Sequence, residues 1–175
     1  MAAARSEFAE HGFAGARVDR IAAAANCNKQ AIYAYLGDKE ALWNSVYSRM
    51  ISDTVEAVPI DADDMPGYAG QLYDYFANDQ SVLRLHFWYS LERPKDNREI
   101  DNAVRLATEA KLSAIASAQA RGKIRPGIAP DLVLLLVLRL SVASTDPPEG
   151  NLSNAKHDAV RAAIVDAVRR ITMPD

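Results

Sequence analysis

The sequence predicts an all-α fold of about nine helices, and three observations carry that prediction. No run alternates apolar and polar residues between turn residues for long, so strand signals are nearly absent. Apolar residues recur at helical spacing along most of the chain. Alanine-rich composition favours the helical state, because alanine loses no side-chain entropy there. With 175 residues, 49% of them hydrophobic and 25% charged, the chain is long enough to bury a core and too apolar to stay disordered.

The first helix is expected from Ala2 to His11, stopped at Gly12, which tolerates the left-handed backbone of a helix C-terminus. Short helices follow at Arg17–Ala24 and Lys29–Tyr35. Gly37-Asp38 starts a longer helix, Asp38 accepting from orphan first-turn amides, and Pro59 bounds it. Pro59 to Gly67 reads as a loop from its Pro, Gly and Asp content. Tyr68–Ala77 and Gln80–Leu91 are the next helices, the second capped by Asn78 or Asp79, and Glu92-Arg93-Pro94 breaks the chain. Asn97–Arg121 reads as one long helix, with Asp101 and Arg105 paired one turn apart and Gly122 at its end. Pro126-Gly127 and Pro130 mark a turn before the apolar helix Asp131–Ala143. A loop at Thr145–Gly150 precedes the last helix, Asn154–Ile171. These elements divide into a three-helix domain, residues 1–45, and a larger helical domain, residues 46–175.

One cysteine, Cys27, excludes an intramolecular disulfide and fits a reducing compartment. No stretch approaches the ~20 apolar residues of a membrane span, and the start lacks the apolar core of a signal peptide, so a cytoplasmic protein is expected. Net charge is −3, which argues against a surface that is basic everywhere. Yet Arg17, Arg20, Lys29 and Lys39 against Asp19 and Asp38 make the stretch from Phe13 to Lys39 +2, leaving −5 for the remainder. Positive charge is concentrated near the N-terminus, the footprint of a local anion-binding patch.

That stretch contains two short helices joined by Asn26-Cys27-Asn28. Ile21, Ala22 and Ala25 on the first and Ile32 on the second supply small or apolar contacts, which let helices cross closely and steeply. The second helix projects Lys29, Gln30, Ala31, Tyr33 and Tyr35 outward. An ammonium for phosphate or guanine, an amide for adenine and a methyl for thymine suit a DNA major groove. The bland alternative is that the tyrosines are partly buried and the lysines merely solvated.

The ordered set Phe8-Ala9-Glu10-His11-Gly12-Phe13, Val18-Asp19-Arg20-Ile21-Ala22 and Lys29-Gln30-Ala31-Ile32-Tyr33-Ala34-Tyr35-Leu36-Gly37-Asp38-Lys39-Glu40-Ala41-Leu42 resembles the DNA-binding domain of the tetracycline-repressor (TetR) family of transcriptional regulators. The resemblance implies a dimeric, ligand-responsive transcription factor, usually a repressor, whose small-molecule effector binds the C-terminal domain and weakens DNA binding. It places Lys29, Gln30 and Ala31 where the family reads base edges. Tyr33 and Tyr35 match its aromatic pair for phosphate and thymine methyls, and Lys39 the lysine that grips a backbone phosphate at a helix start. Two reading helices would enter successive major grooves ~34 Å apart, on a near-palindromic double-stranded operator.

Four positions depart from the family pattern. The chain starts where the family is usually already inside its first helix, so contacts from a basic arm are expected to be missing. Ala16 replaces the usual Thr, removing a cap and a phosphate-bonding hydroxyl, for which the charge of Arg17 is the available substitute. Asn26 stands where Gly is common, tolerable because Asn accepts positive φ. Leu36 replaces the usual Phe. Cys27 invites a redox switch, but the favoured reading is a small buried apolar residue in place of the family's Val.

Seven of the 13 aromatic residues fall between Tyr68 and Tyr89. Rings with polar tips suit a pocket for an apolar or aromatic effector, and Tyr73, Phe76, His86, Phe87 and Tyr89 are its candidates. For any one of them, core filler is the competing reading. Trp43 is expected to pack between the domains. The run Leu132 to Leu138 is apolar nearly all round and demands burial on more than one face. Packing it and the last helix against a second copy gives a homodimer through Leu132, Leu135, Leu136, Val160, Ile164, Ala167, Val168 and Ile171, with Ala159 and Ala163 allowing close approach.

An enzyme is the rival from another class. His11, His86 and His157 lack metal-ligand spacing, and no phosphate loop or serine-nucleophile motif is found, so no catalytic residue, metal or cofactor is expected. A second rival is a family member that has lost DNA binding and serves as a helical interaction or ligand-binding protein. The N-terminal start and the missing Thr keep that reading open.

Overall fold

A computed structural model of the chain describes residues 1–92, 98–142 and 157–174, without the side chains of residues 98–101 and 103. Among these residues there are nine helices and no strand: α1 (Ala2–Gly15), α2 (Val18–Ala24), α3 (Lys29–Leu36), α4 (Lys39–Ala57), α5 (Met65–Asn78), α6 (Gln80–Glu92), α7 (Arg98–Ala120), α8 (Pro130–Ser141) and α9 (His157–Thr172). None of the described helices is long and apolar enough to cross a membrane. The expected Asp101–Arg105 pair, the end at Ala143, the loop Thr145–Gly150 and the start at Asn154 lie outside the described residues.

Two expected boundaries shift for local reasons. Gly12 does break α1, at φ 67° and ψ −177°, but a short helical turn resumes beyond it to Gly15. The segment Met65-Pro66-Gly67, expected as loop, is the first turn of α5. Proline lacks only an amide that no first-turn residue can use, and the Asp64 carboxylate accepts from the Gly67 amide at 2.9 Å. Elsewhere the local signals act as the sequence indicates. Asp38 Oδ1 accepts from Ala41 N at 2.8 Å, Asn26 adopts φ 50°, and Gly122 closes α7 at φ 71°.

Met1–Asp53 and Gln80–Arg105 form one compact unit, and Thr54–Asp79 and Leu106–Asp175 a second. In the first, α1 packs on α2 and α6, and α2 on α3. Trp43, expected between domains, is the fully buried centre of this unit's core. Phe8 meets it edge-on at 5.0 Å, Phe13 at 5.9 Å, and Tyr47 stacks on it at 6.3 Å. In the second unit, α5 packs on α8 and α9, and α8 on α9. Tyr68, Leu72, Ile115, Ile124 and Val133 are fully buried there. Asp74 on α5 pins α9 by accepting from Arg161 Nε at 2.7 Å, with His157 Nε2 at 3.1 Å.

Helix α8 turns Val133, Leu134 and Val137 inward and leaves Leu132, Leu135 and Leu136 50%, 47% and 39% exposed. Ile164 and Val168 on α9, expected at a subunit contact, are buried within their own chain. They form the stripe by which α9 covers its neighbours. Val160, Ala167 and Ile171 are half-buried, and Ala159, Ala162 and Ala163 exposed.

Candidate nucleic-acid interface

The reading helix α3 is set by local capping. Asn28 Oδ1 accepts from the Gln30 amide at 2.9 Å, which starts the helix at Lys29. Ile32 is its one buried residue, and α3 packs on α2, whose buried residues are Val18, Ile21 and Ala22. Ala25, expected in that contact, is exposed. Cys27 is exposed as well, so the reading of a buried apolar turn residue is corrected. Cys27 lies in the turn between Asn26, at φ 50°, and Asn28, which caps α3.

Gln30 is exposed, Ala31 half-buried, Tyr33 42% exposed and Tyr35 88% exposed. The tyrosines are thus not core residues. A ring left this open in water is an unused contact surface with a hydroxyl tip. Lys29 Nζ donates to Asp19 Oδ2 at 2.9 Å and lies 5.9 Å from the centroid of Tyr33. The hydrogen bond to Asp19 raises its pKa, so Lys29 is a held cation.

Helix α2 has lost the hydroxyl cap expected from its missing Thr, and α1 replaces it. Glu7 Oε1 accepts from the Arg17 amide and from Arg20 Nε, both at 2.8 Å. Burial pushes the Glu7 carboxyl up, but the bonds from Arg20 and Arg17 outweigh it and leave the pKa lowered. The Arg17 side chain is exposed, at the start of α2. Lys39, the first residue of α4, sits 4.9 Å above the Phe13 ring and donates to Ala14 O at 3.4 Å. The seven residues Arg17, Lys29, Gln30, Ala31, Tyr33, Tyr35 and Lys39 therefore lie just before α2, on α3 and at the start of α4, all within the first unit. Phosphate-grade cations flank an exposed polar and aromatic helix face, an arrangement that can grip a backbone and read bases.

The chain matches the family description "Bacterial regulatory proteins, tetR family" over residues 1–46 and "Tetracyclin repressor-like, C-terminal domain" over residues 64–170. It is 40% identical to the HTH-type transcriptional repressor SCO4008 of Streptomyces coelicolor over 179 residues, covering 97% of this chain and 91% of that protein. The chain belongs to the TetR family. Its fold superposes on the transcriptional regulator SCO4942 of Streptomyces coelicolor with a TM-score of 0.86 at 37% identity, covering 98% of this chain and 94% of that one. A TetR-like fold is also shared with AibR, solved with isovaleryl coenzyme A and operator DNA, at a TM-score of 0.72 and 18% identity, over 99% of this chain and 96% of that one. As a TetR-family member the protein is a DNA-binding transcriptional regulator with an N-terminal helix-turn-helix.

The five aromatic candidates for a TetR effector pocket do not share one environment. Tyr73 and Phe76 are buried in the second unit, Tyr73 against the His157 ring at 4.7 Å. In the first unit Tyr89 is buried and stacks on Tyr47 at 4.1 Å. His86 Nδ1 shares a hydrogen bond with Tyr47 Oη at 3.2 Å, and Phe87 is exposed. A cleft of about 600 Å³ in the second unit is lined by Pro59, Ile60, Asp63, Gln71, Ser117 and Arg121 among others, and by none of the five. Two residues that sequence reasoning missed stand out in that unit. The Tyr68 hydroxyl is buried with no hydrogen-bond partner among the described residues, and burial pushes its pKa to about 12. Burial also lowers the pKa of Lys111 on α7. Nothing in residue spacing signals either, because an orphaned polar atom is a property of the packed state.

Proposed function

We propose that the protein is a dimeric repressor that binds a near-palindromic operator through Arg17, Lys29, Gln30, Ala31, Tyr33, Tyr35 and Lys39, and leaves it when a small apolar or aromatic effector binds. The observation that carries this reading is the open face of α3, where Tyr35 is 88% exposed beside Tyr33 and Gln30. Such a face is costly to leave in water and matches a groove floor in chemistry. The repressor SCO4008 is a relative over nearly the whole chain, and AibR shows the same fold carrying both DNA and a small ligand. Lys39 would contact a phosphate, and Arg17 a second, by charge alone.

The exposed leucines Leu132, Leu135 and Leu136, with Val160, Ala167 and Ile171 at the rim and the small face of Ala159 and Ala163, support a homodimer through α8 and α9. The orphaned Tyr68 hydroxyl supports an effector site inside the second unit, since a ligand carbonyl or hydroxyl would complete its hydrogen bonding. An effector acts by favouring a dimer geometry that no longer fits two successive grooves. Such a regulator works in the cytoplasm, on chromosomal DNA. Selection of bound sequences from random duplexes tests the reading. Enrichment of an inverted repeat supports it, and absence of enrichment by a dimeric protein favours the alternative of a family member without DNA binding.

A further inference from the structure

The break in α1 at Gly12 leaves backbone groups without helical partners on both sides, and one face of α6 meets four of them. Arg84 Nε donates to Ala9 O at 2.7 Å, and Arg84 Nη2 to Glu10 O at 3.2 Å. Trp88 Nε1 donates to Ala9 O at 3.2 Å. One turn further, Glu92 Oε2 accepts from Phe13 N at 2.6 Å and from Ala14 N at 3.1 Å. Residues 84, 88 and 92 are spaced by four, so they form a single row along the helix. Donors meet the loose carbonyls before the break, and the carboxylate meets the loose amides after it. A carboxylate accepting two backbone amides is a charge-assisted contact, stronger than a neutral pair.

Phe13 and Ala14 are also the two residues that hold Lys39. The Phe13 ring lies under the ammonium, and Ala14 O accepts one of its protons. An ammonium has three donors, so one directed at Ala14 leaves two for an external oxygen. The Phe13–Gly15 turn makes only about one turn of helix, too short to hold itself in place. Its position is fixed by Glu92 on its amides and by the Phe13 ring against Trp43.

We propose that Glu92 is a positioning residue for DNA binding: its carboxylate fixes the Phe13–Ala14 turn, and that turn presents the Lys39 ammonium to a backbone phosphate. The inference rests on the reading of Lys39 as a phosphate contact. Without Glu92 the two amides turn to water and the turn loosens. Lys39 then loses the surface that aims it and no longer makes the phosphate contact, so affinity falls by the worth of that contact and the counterion is not released.

The test is a double-mutant cycle on operator affinity, using the sequence selected with the wild-type dimer and repeated across salt concentrations. Glu92→Ala is expected to weaken binding by about tenfold and to reduce the salt slope by about one per subunit, as Lys39→Ala does. In the Lys39→Ala background, Glu92→Ala is expected to add almost nothing, because the group it positions is gone. Glu92→Gln keeps one carbonyl acceptor and the side-chain shape. It is expected to keep most of the affinity and the slope, and Glu92→Met, which keeps the stem and has no carboxylate, takes the place of the alanine variant in the cycle if that variant does not fold. Losses that multiply in the double variant, or an unchanged slope for Glu92→Ala where Lys39→Ala lowers it, overturn the proposal while leaving the phosphate contact standing. A Lys39→Ala protein with wild-type affinity and slope overturns both.

Discussion

Replacing Gly12 by alanine tests the clamp where it is tightest. At φ 67° and ψ −177° the residue occupies a region open essentially to glycine, and an L side chain there costs about 1–3 kcal/mol. A Cβ would also lie 2.7 Å from the Trp88 ring and 2.9 Å from Glu92 Oε2. Relieving that overlap means displacing an indole and a carboxylate that both hold α1, an overpacking cost of about 1–3 kcal/mol. The sum, about 2–6 kcal/mol, is a large part of the stability of a typical domain. Urea unfolding followed by tryptophan fluorescence reads it directly, because both tryptophans, Trp43 and Trp88, lie in the first unit. With a urea slope of about 1–3 kcal/mol per molar, the midpoint is expected to fall by at least about 0.7 M. Gly15→Ala is the control: its Cβ would meet only His11 Cβ at 3.4 Å, and alanine favours the helix by up to about 1 kcal/mol. Equal midpoints for the two variants would refute the account of the break.

Four further outcomes are expected. Glu7→Gln weakens the cap on α2 and costs about 1 kcal/mol at neutral pH by thermal or urea unfolding. Because the Glu7 pKa is lowered from 4.5, that contribution is present above 4.5 and lost as pH falls through the lowered value, so the two proteins converge in acid. Leu135→Asp is expected to weaken the dimer by at least about tenfold in sedimentation equilibrium and to abolish operator binding with it. Tyr68→Phe removes a buried hydroxyl that has no partner among the described residues and is expected to raise stability by about 1–3 kcal/mol while blunting release by effector; a destabilised variant would show that the hydroxyl is satisfied in solution. Asp19→Asn frees Lys29 and is expected to tighten binding to unrelated duplex more than to the operator, measured as a reduced ratio of the two affinities.

Local rules made the helices legible. The cap at Asp38, the glycine at 122 and helical periodicity all act within a few residues, where a sequence carries its own physics. The start of α5 is not legible in the sequence, because Pro66 and Gly67 are loop signals and first-turn residues at once, and only the Asp64 cap decides. The helix-turn-helix was legible as an ordered set of residues, although its turn was not: Cys27 and Ala25 are exposed, since small apolar residues fit either environment. The inward face of α9 was visible as a stripe, but periodicity says that a face is covered and not by what. Ile164 and Val168 are covered by their own chain. The partners of Glu92 and Arg84 lie more than seventy residues away, which no spacing rule reaches.

The charge asymmetry at the N-terminus overstates the free positive charge there. Arg20 is engaged by Glu7 and Lys29 by Asp19, both across exposed contacts. Arg17 and Lys39 have no carboxylate partner among the described contacts of that region. A protein of net charge −3 with two such cations per reading head gains little from counterion release on arbitrary DNA. Surface ion pairs of this kind add little to stability, so their effect falls on binding. Breaking the Lys29–Asp19 contact is repaid only where a base edge or phosphate replaces the carboxylate in the same place. Discrimination then comes from suppressing attachment elsewhere as much as from strengthening attachment at the operator. This is the physical reason to expect the acidic partners of α1 and α2 to set the ratio of specific to non-specific affinity, while Lys39 and Arg17 set its absolute scale.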